Sequence, residues 1–170
     1  MDQLGKFVVS FCRCTIEDIS WVQAVKLQND GLTDYNGYWH VTYDDPAILG
    51  SRNIKVIIVL NTFFLLTLEQ MEETLAHEYG HHWTLGHLIS RMGRCPDEYP
   101  PRIYNSIRGL DGRFAPRASQ WEFRHSEVLA EDYKHHFTPF RGTHRMVDLI
   151  GFPSSEVKDY IASMGHRRHL

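Results

Sequence analysis

The chain has only three cysteines, Cys12, Cys14 and Cys95, across 170 residues. An odd count without paired spacing argues against a disulfide framework and against a zinc ribbon. With a histidine the three could still assemble a Cys3His zinc site, but reduced thiols buried as small hydrophobes are the better expectation. Long apolar runs are also lacking. The densest, VIIVLNTFFLL at 56–66, is interrupted by Asn61 and Thr62 and falls short of the roughly 20 residues that span a bilayer. The opening MDQLGKFVVSFCRC lacks the basic start and apolar stretch of an export signal. A cytoplasmic protein without a membrane partner is expected, although a chain trimmed of a leader would read the same way. No charge of one sign prevails. The net charge is −3, with both signs mixed along the chain, so the electrostatic footprint of a nucleic-acid binder is missing. Repeats, low-complexity tracts and interdomain linkers are absent too.

What is present is a hydrophobic content of 42%, enough for one sizeable core and little for a second. The expectation is a single domain over 1–165, followed by a basic tail, HRRHL, at 166–170. FVVSF at 7–11 reads as a short buried strand. Thr15 can cap a helix whose apolar positions Ile16, Ile19, Val22 and Val25 carry it to residues 29–31. YNGYWHVTY at 35–43, with its Asn-Gly turn signal, and β-branched NIKVIIVL at 53–60 read as strands. Thr67 opens a helix with a capping box to Gln70, and Gly86 offers a stop. Residues 91–124, rich in Gly, Pro and Arg, read as a long loop or a set of short pieces, and a length of that kind in a compact domain suggests a functional insertion. HSEVLAEDYKHHF at 125–137 resumes helical spacing, and Ser155 starts a last helix ending at Gly165. These elements make an α+β protein, with a twisted, mostly antiparallel or mixed sheet packed on the central helix and helices at the C-terminal end.

LAHEYGHHWTLGH at 75–87 carries the chemistry. At about 100° per residue, Leu68, Met71, Leu75 and Tyr79 share one apolar stripe, while His77 and His81 point together from the opposite side. Two imidazoles one helical turn apart, roughly 6 Å at the backbone, can converge on a single metal ion. Glu78 stands one step aside, where its carboxylate can take a proton from a metal-bound water. That is the arrangement of a zinc hydrolase. His82 falls among the core residues and reads as a packed, hydrogen-bonded histidine.

A catalytic zinc asks for a third protein ligand. His87 follows His81 by six residues, the spacing of the metzincins, but the glycine that turns that family's chain back would fall at Thr84. On a continuing helix His87 would point about 120° away from His81. The competing candidate is Glu127. It lies one turn from Glu131 on the same face of the later helix, so one acid can bind the metal while the other orients a ligating histidine through its free ring nitrogen. His135, two turns beyond Glu127, is roughly 12 Å along the axis and cannot share the ion.

HEYGH followed by EVLAEDY resembles the gluzincins, zinc peptidases with two histidines and a glutamate as ligands, and above all the minigluzincins and the lethal-factor-type peptidase domain. The resemblance covers roughly residues 53–137. It implies a small zincin-like domain, one zinc ion on His77, His81 and Glu127, Glu78 as general base, Glu131 as support for a ligand, and a peptide or protein substrate. It also implies an edge strand above the metal that binds extended substrate, for which VIIVL or YWHVTY could serve. The tyrosine that stabilises the oxyanion in lethal-factor-type peptidases is replaced by Gln120, followed by Trp121. His125, Tyr104 and Tyr133 are the candidates for its role, His125 first. Seven arginines against four acids in 91–124 hint at a basic cleft wall and an acidic substrate. The alternative function is a zinc-stabilised binding or scaffold domain without strong catalysis.

Overall fold

Why FVVSF becomes a helix is visible one turn earlier. Asp2 accepts a hydrogen bond from the Gly5 amide at 2.7 Å and so caps α1, Gln3–Phe11. Its Phe7 and Val8 then enter the core, joined by partly buried Leu4. Spacing of this kind fits a helical face as readily as a short strand, and the cap decides between them. In this computed structural model residues 2–43, 53–92 and 102–165 are described, the side chains of 91 and 92 excepted.

Thr15 does cap a helix, and its capping box with Asp18 is complete. The helix α2, Ile16–Trp21, is nevertheless only six residues long. Val22–Gln28 leaves it as strand β1, correcting the longer helix expected from the sequence. The cause is tertiary, because β1 pairs in parallel with β3, Lys55–Asn61, from Val22 opposite Val56 to Gln28 opposite Asn61. Strand β2, Gly37–Thr42, pairs antiparallel with the same β3. The order β1-β3-β2 makes a three-stranded mixed sheet with β3 in its centre, and Val56, Ile58 and Leu60 are fully buried.

The long helix α3, Leu68–Met92, spans 25 residues. Gln70 Oε1 accepts from the Leu66 and Thr67 amides, and the Gln70 amide donates to Thr67 Oγ1, so the expected capping box forms. The expected stop at Gly86 does not. A Cβ there would lie 3.1 Å from the Trp21 ring, so the glycine makes room for a neighbour and the helix continues. Leu75 and Tyr79 are buried as expected, whereas Leu68 is exposed and Met71 only partly covered. The core begins a turn later than the stripe suggested.

Helix α4, Arg102–Arg108, and a 3-10 turn at Trp121–Phe123 lie within the stretch read as a long loop or a set of short pieces. Then follow α5, His125–Phe137, the short α6, Val147–Ile150, and α7, Ser155–Met164. Ser154, one residue before the expected start, caps α7 through a bond from the Val157 amide at 3.4 Å. Cys12 is buried and Cys14 partly so, both as free thiols outside the sheet. Cys95 and the 166–170 tail lie outside the described residues. Among the described residues no helix is long and apolar enough to cross a membrane.

Two polar side chains anchor what surrounds α3. Asp18 accepts from the Tyr79 hydroxyl at 2.6 Å, and its carbonyl accepts from His82 Nε2 at 2.7 Å, which fastens α2 to the rear of α3. Asn61, buried at the end of β3, donates to the carbonyls of Asp30 and Tyr35 and accepts from the Asp30 amide. It thereby shapes the loop that leads into β2.

Candidate metal centre

The site is assembled where α3 and α5 cross. A Cβ on Gly80 would lie 2.7 Å from the Ala130 carbonyl oxygen and 3.0 Å from its Cα, so the two helices touch backbone to backbone at that point. Close approach of this kind needs glycine. It sets Glu127, in the first turn of α5, opposite His77 and His81.

The donor atoms converge. His77 Nε2 and His81 Nε2 each lie 3.1 Å from the same oxygen, Oε2 of Glu127. The three form a group whose ligand atoms all lie within 4.8 Å of one another, and this group could hold a metal ion. Both histidines are buried and Glu127 is mostly so. Two imidazole nitrogens and a carboxylate oxygen are the donor set that suits zinc. Burying them facing one another is otherwise tolerable only when protons take the place of a cation. Burial opposes charge on His77, but its bonds to Glu127 and Glu131 outweigh that and raise the imidazole to about 9. Burial likewise opposes ionisation of Glu127, yet His81 and His77 hold its carboxyl well below the usual range.

Glu131 supports the group from behind. Its Oε1 accepts from His77 Nδ1 at 2.7 Å, so the other ring nitrogen faces Glu127. Its Oε2 accepts from the Arg145 amide at 2.8 Å and pairs with Lys134 Nζ at 3.0 Å. Although burial works against ionisation, His77 and Lys134 bring the Glu131 carboxyl down to about 2. Lys134, itself fully buried, also reaches Glu73 and the Thr143 carbonyl, each at 3.0 Å. Neither Lys134 nor Arg145 stands out from sequence; only the clustering of a basic residue three positions after Glu131 on a helix could have pointed to the lysine.

Glu78 lines the same cleft as the three donors, a space of about 1120 Å³ bounded by residues 34–41 on one segment and 116–127 on another. Burial raises its carboxyl, against the pull of His77 and His81. The start of β2 runs against it, since a Cβ on Gly37 would sit 3.4 Å from Glu78 Cγ. Of the two strands expected to offer an edge, β3 is central, while β2 has one side unpaired among the described residues and lines the cleft. Trp39 stacks toward His81 with ring centroids 6.5 Å apart. Trp121 faces His77 at 5.7 Å.

The remaining candidates lie elsewhere. His87 packs between Trp21 and Trp83, at 5.3 and 4.6 Å between centroids, and lies outside the donor group because the helix never turns back. His82 is the core histidine its position implied. The three side chains considered for the oxyanion all miss the cleft lining. Tyr104 donates to Asp132 Oδ2 at 2.8 Å, in a buried cluster that includes Arg108 and His144. Tyr133 donates to the Arg13 carbonyl at 2.9 Å. His125 is buried at the start of α5, and burial lowers its basicity. The cleft is lined instead by Arg145, whose guanidinium lies over Trp121 at 5.6 Å, and by Tyr35, Tyr38 and Tyr43. His135 stacks on Phe152, with centroids 4.9 Å apart.

No protein-family model matches the sequence, and no curated protein or solved structure is significantly similar to it.

Proposed function

We propose that this protein is a zinc-dependent endopeptidase of the gluzincin type. One observation carries the reading. His77 Nε2, His81 Nε2 and Glu127 Oε2 meet at a single point, and that point opens into a cleft shared with Glu78 and the free edge of β2. His77, His81 and Glu127 would hold the ion. When bound there, zinc supplies a Lewis acid that polarises a carbonyl and acidifies water.

The chain's own residues do the rest. The edge of β2 pairs with the main chain of an extended substrate. Glu78 accepts the proton of the attacking water and hands it to the leaving amine nitrogen as the peptide bond breaks. Arg145, which lines the same cleft, supplies positive charge toward a developing oxyanion.

A second reading, a zinc-stabilised binding domain with little turnover, draws on the placement of Tyr104, Tyr133 and His125 away from the cleft. One variant separates the two. In Glu78→Gln the zinc content stays at one ion per chain while hydrolysis of a peptide that the parent cleaves falls at least about a hundredfold. Undiminished cleavage by that variant removes the mechanism, and a parent protein that binds zinc and peptides but cuts none of them belongs to the second reading.

A further inference from the structure

The cleft is unevenly charged. Apart from Glu78 and Glu127, its described lining contains one carboxylate, Asp34, against three guanidinium groups, Arg117, Arg124 and Arg145. A divalent cation on the donor group balances Glu78 and Glu127 and leaves this excess uncancelled. Field lines from like charges in a recess with low-dielectric walls concentrate in the opening, where they draw in the opposite sign.

The arginines differ in what already occupies them. Arg145 stands 3.9 Å from Glu131 and lies over Trp121. Arg117 and Arg124 meet no carboxylate among the described residues, where the paired arginines are Arg108, Arg113 and Arg145. Their segment is nonetheless built. The Ala115 amide bonds the Phe123 carbonyl at 3.0 Å, and Arg124 Nε bonds the Ala118 carbonyl at 2.9 Å, closing the turn that presents Arg117 to solvent. An arginine that laces a loop with one donor keeps the rest of its fork for a ligand.

The other boundary of the cleft selects the kind of anion. Residues 34–41 include nearly all of β2, whose only described partner is β3. An unpaired strand edge alternates main-chain donors and acceptors along an extended polypeptide, a pattern that phosphate oxygens, which only accept, do not complement. We propose that the cleft selects extended peptides with acidic side chains, aligned by the β2 edge and discriminated by Arg117 and Arg124. This rests on the peptide-binding part of the function proposed above and names its substrate class.

The test uses the full chain loaded with zinc and carrying Glu78→Gln, so that bound peptide survives. Fluorescent peptides of one length, differing only in Glu, Gln or Lys at alternate positions, are titrated by anisotropy at low and high salt. The glutamate peptide binds about fivefold tighter than the glutamine peptide, the lysine peptide binds weakest, and salt compresses the differences. Adding Arg117→Glu, at an exposed position, abolishes or inverts the preference, and Arg117→Lys restores most of it. Equal affinity for all three, preference for lysine, or no binding of any overturns the inference; so does a preference that survives Arg117→Glu together with Arg124→Gln. The proposed chemistry is judged separately with the parent enzyme. If acidic peptides are preferred but never cut, the charge assignment stands and the peptidase reading falls.

Discussion

His77 donates from Nδ1 to Glu131 Oε1 at 2.7 Å while its Nε2 faces Glu127. A carboxylate behind an imidazole fixes both the tautomer and the ring direction, as a metal ligand requires. Glu131 is in turn held by Lys134 and the Arg145 amide. The chain of contacts therefore runs from the donor group through α5 to the segment after it.

Loss of the Glu131 carboxylate weakens metal binding without removing a ligand. For Glu131→Gln a competition titration against a chelating dye gives zinc affinity about 10- to 100-fold below the parent. An unchanged affinity would show that the ring is held by packing alone.

Zinc binding to this group at neutral pH is expected to release protons. With His77 raised to about 9 in the metal-free protein, its imidazole is charged at pH 7 and must lose a proton to coordinate. Apparent affinity therefore rises with pH and levels off once pH passes about 9. Calorimetry in two buffers of different ionisation enthalpy reads this directly, with about one proton released per ion near pH 7; heats independent of the buffer contradict it.

Gly80 spaces the two helices that carry the donor group. In Gly80→Ala the new methyl meets the backbone of Ala130, which cannot rotate aside, so α5 shifts and Glu127 with it. A stability loss of about 1–3 kcal/mol is expected, read as a fall in Tm of several degrees, accompanied by weaker zinc binding. Stability lost with full zinc affinity would mean that Glu127 is positioned by something other than this contact.

His82 makes the fold acid-sensitive. Burial lowers it to about 4 despite its bond to the Asp18 carbonyl, whereas in the unfolded chain it titrates near the ordinary 6.5. Between those values the unfolded state binds more protons than the native one, so stability is full above about pH 6.5 and declines as pH falls toward 4. Denaturant melts of the metal-free protein across that window, compared with His82→Gln, show a shallower pH slope in the variant. Parallel slopes would remove His82 as the cause.

Several local features were legible because they depend on neighbours in sequence. The capping box of Thr67 and Gln70, the pairing of His77 with His81 one turn apart, and the shared face of Glu127 and Glu131 need only helical geometry. The strands at 37–42 and 55–61 follow from turn signals and β-branched density. Where reading failed, a distant partner had intervened. Val22–Gln28 became a strand because β3 was available on its parallel side, and Gly86 proved to be a packing site for the Trp21 ring inside α3, not a helix end. Tyr104 left the candidate set because Asp132 claims its hydroxyl.

By itself the sequence determined the donor types and the two helical faces that bear them, because residue type and a 3.6-residue period are local properties. That Glu127 and not His87 joins His77 and His81 was decided only by the crossing of α3 and α5 at Gly80. The placement of Glu78 beside β2 was decided by the packing of the sheet on α3 at Gly37. Such distances across the fold arise from backbone contacts between segments far apart along the chain, which no local spacing encodes.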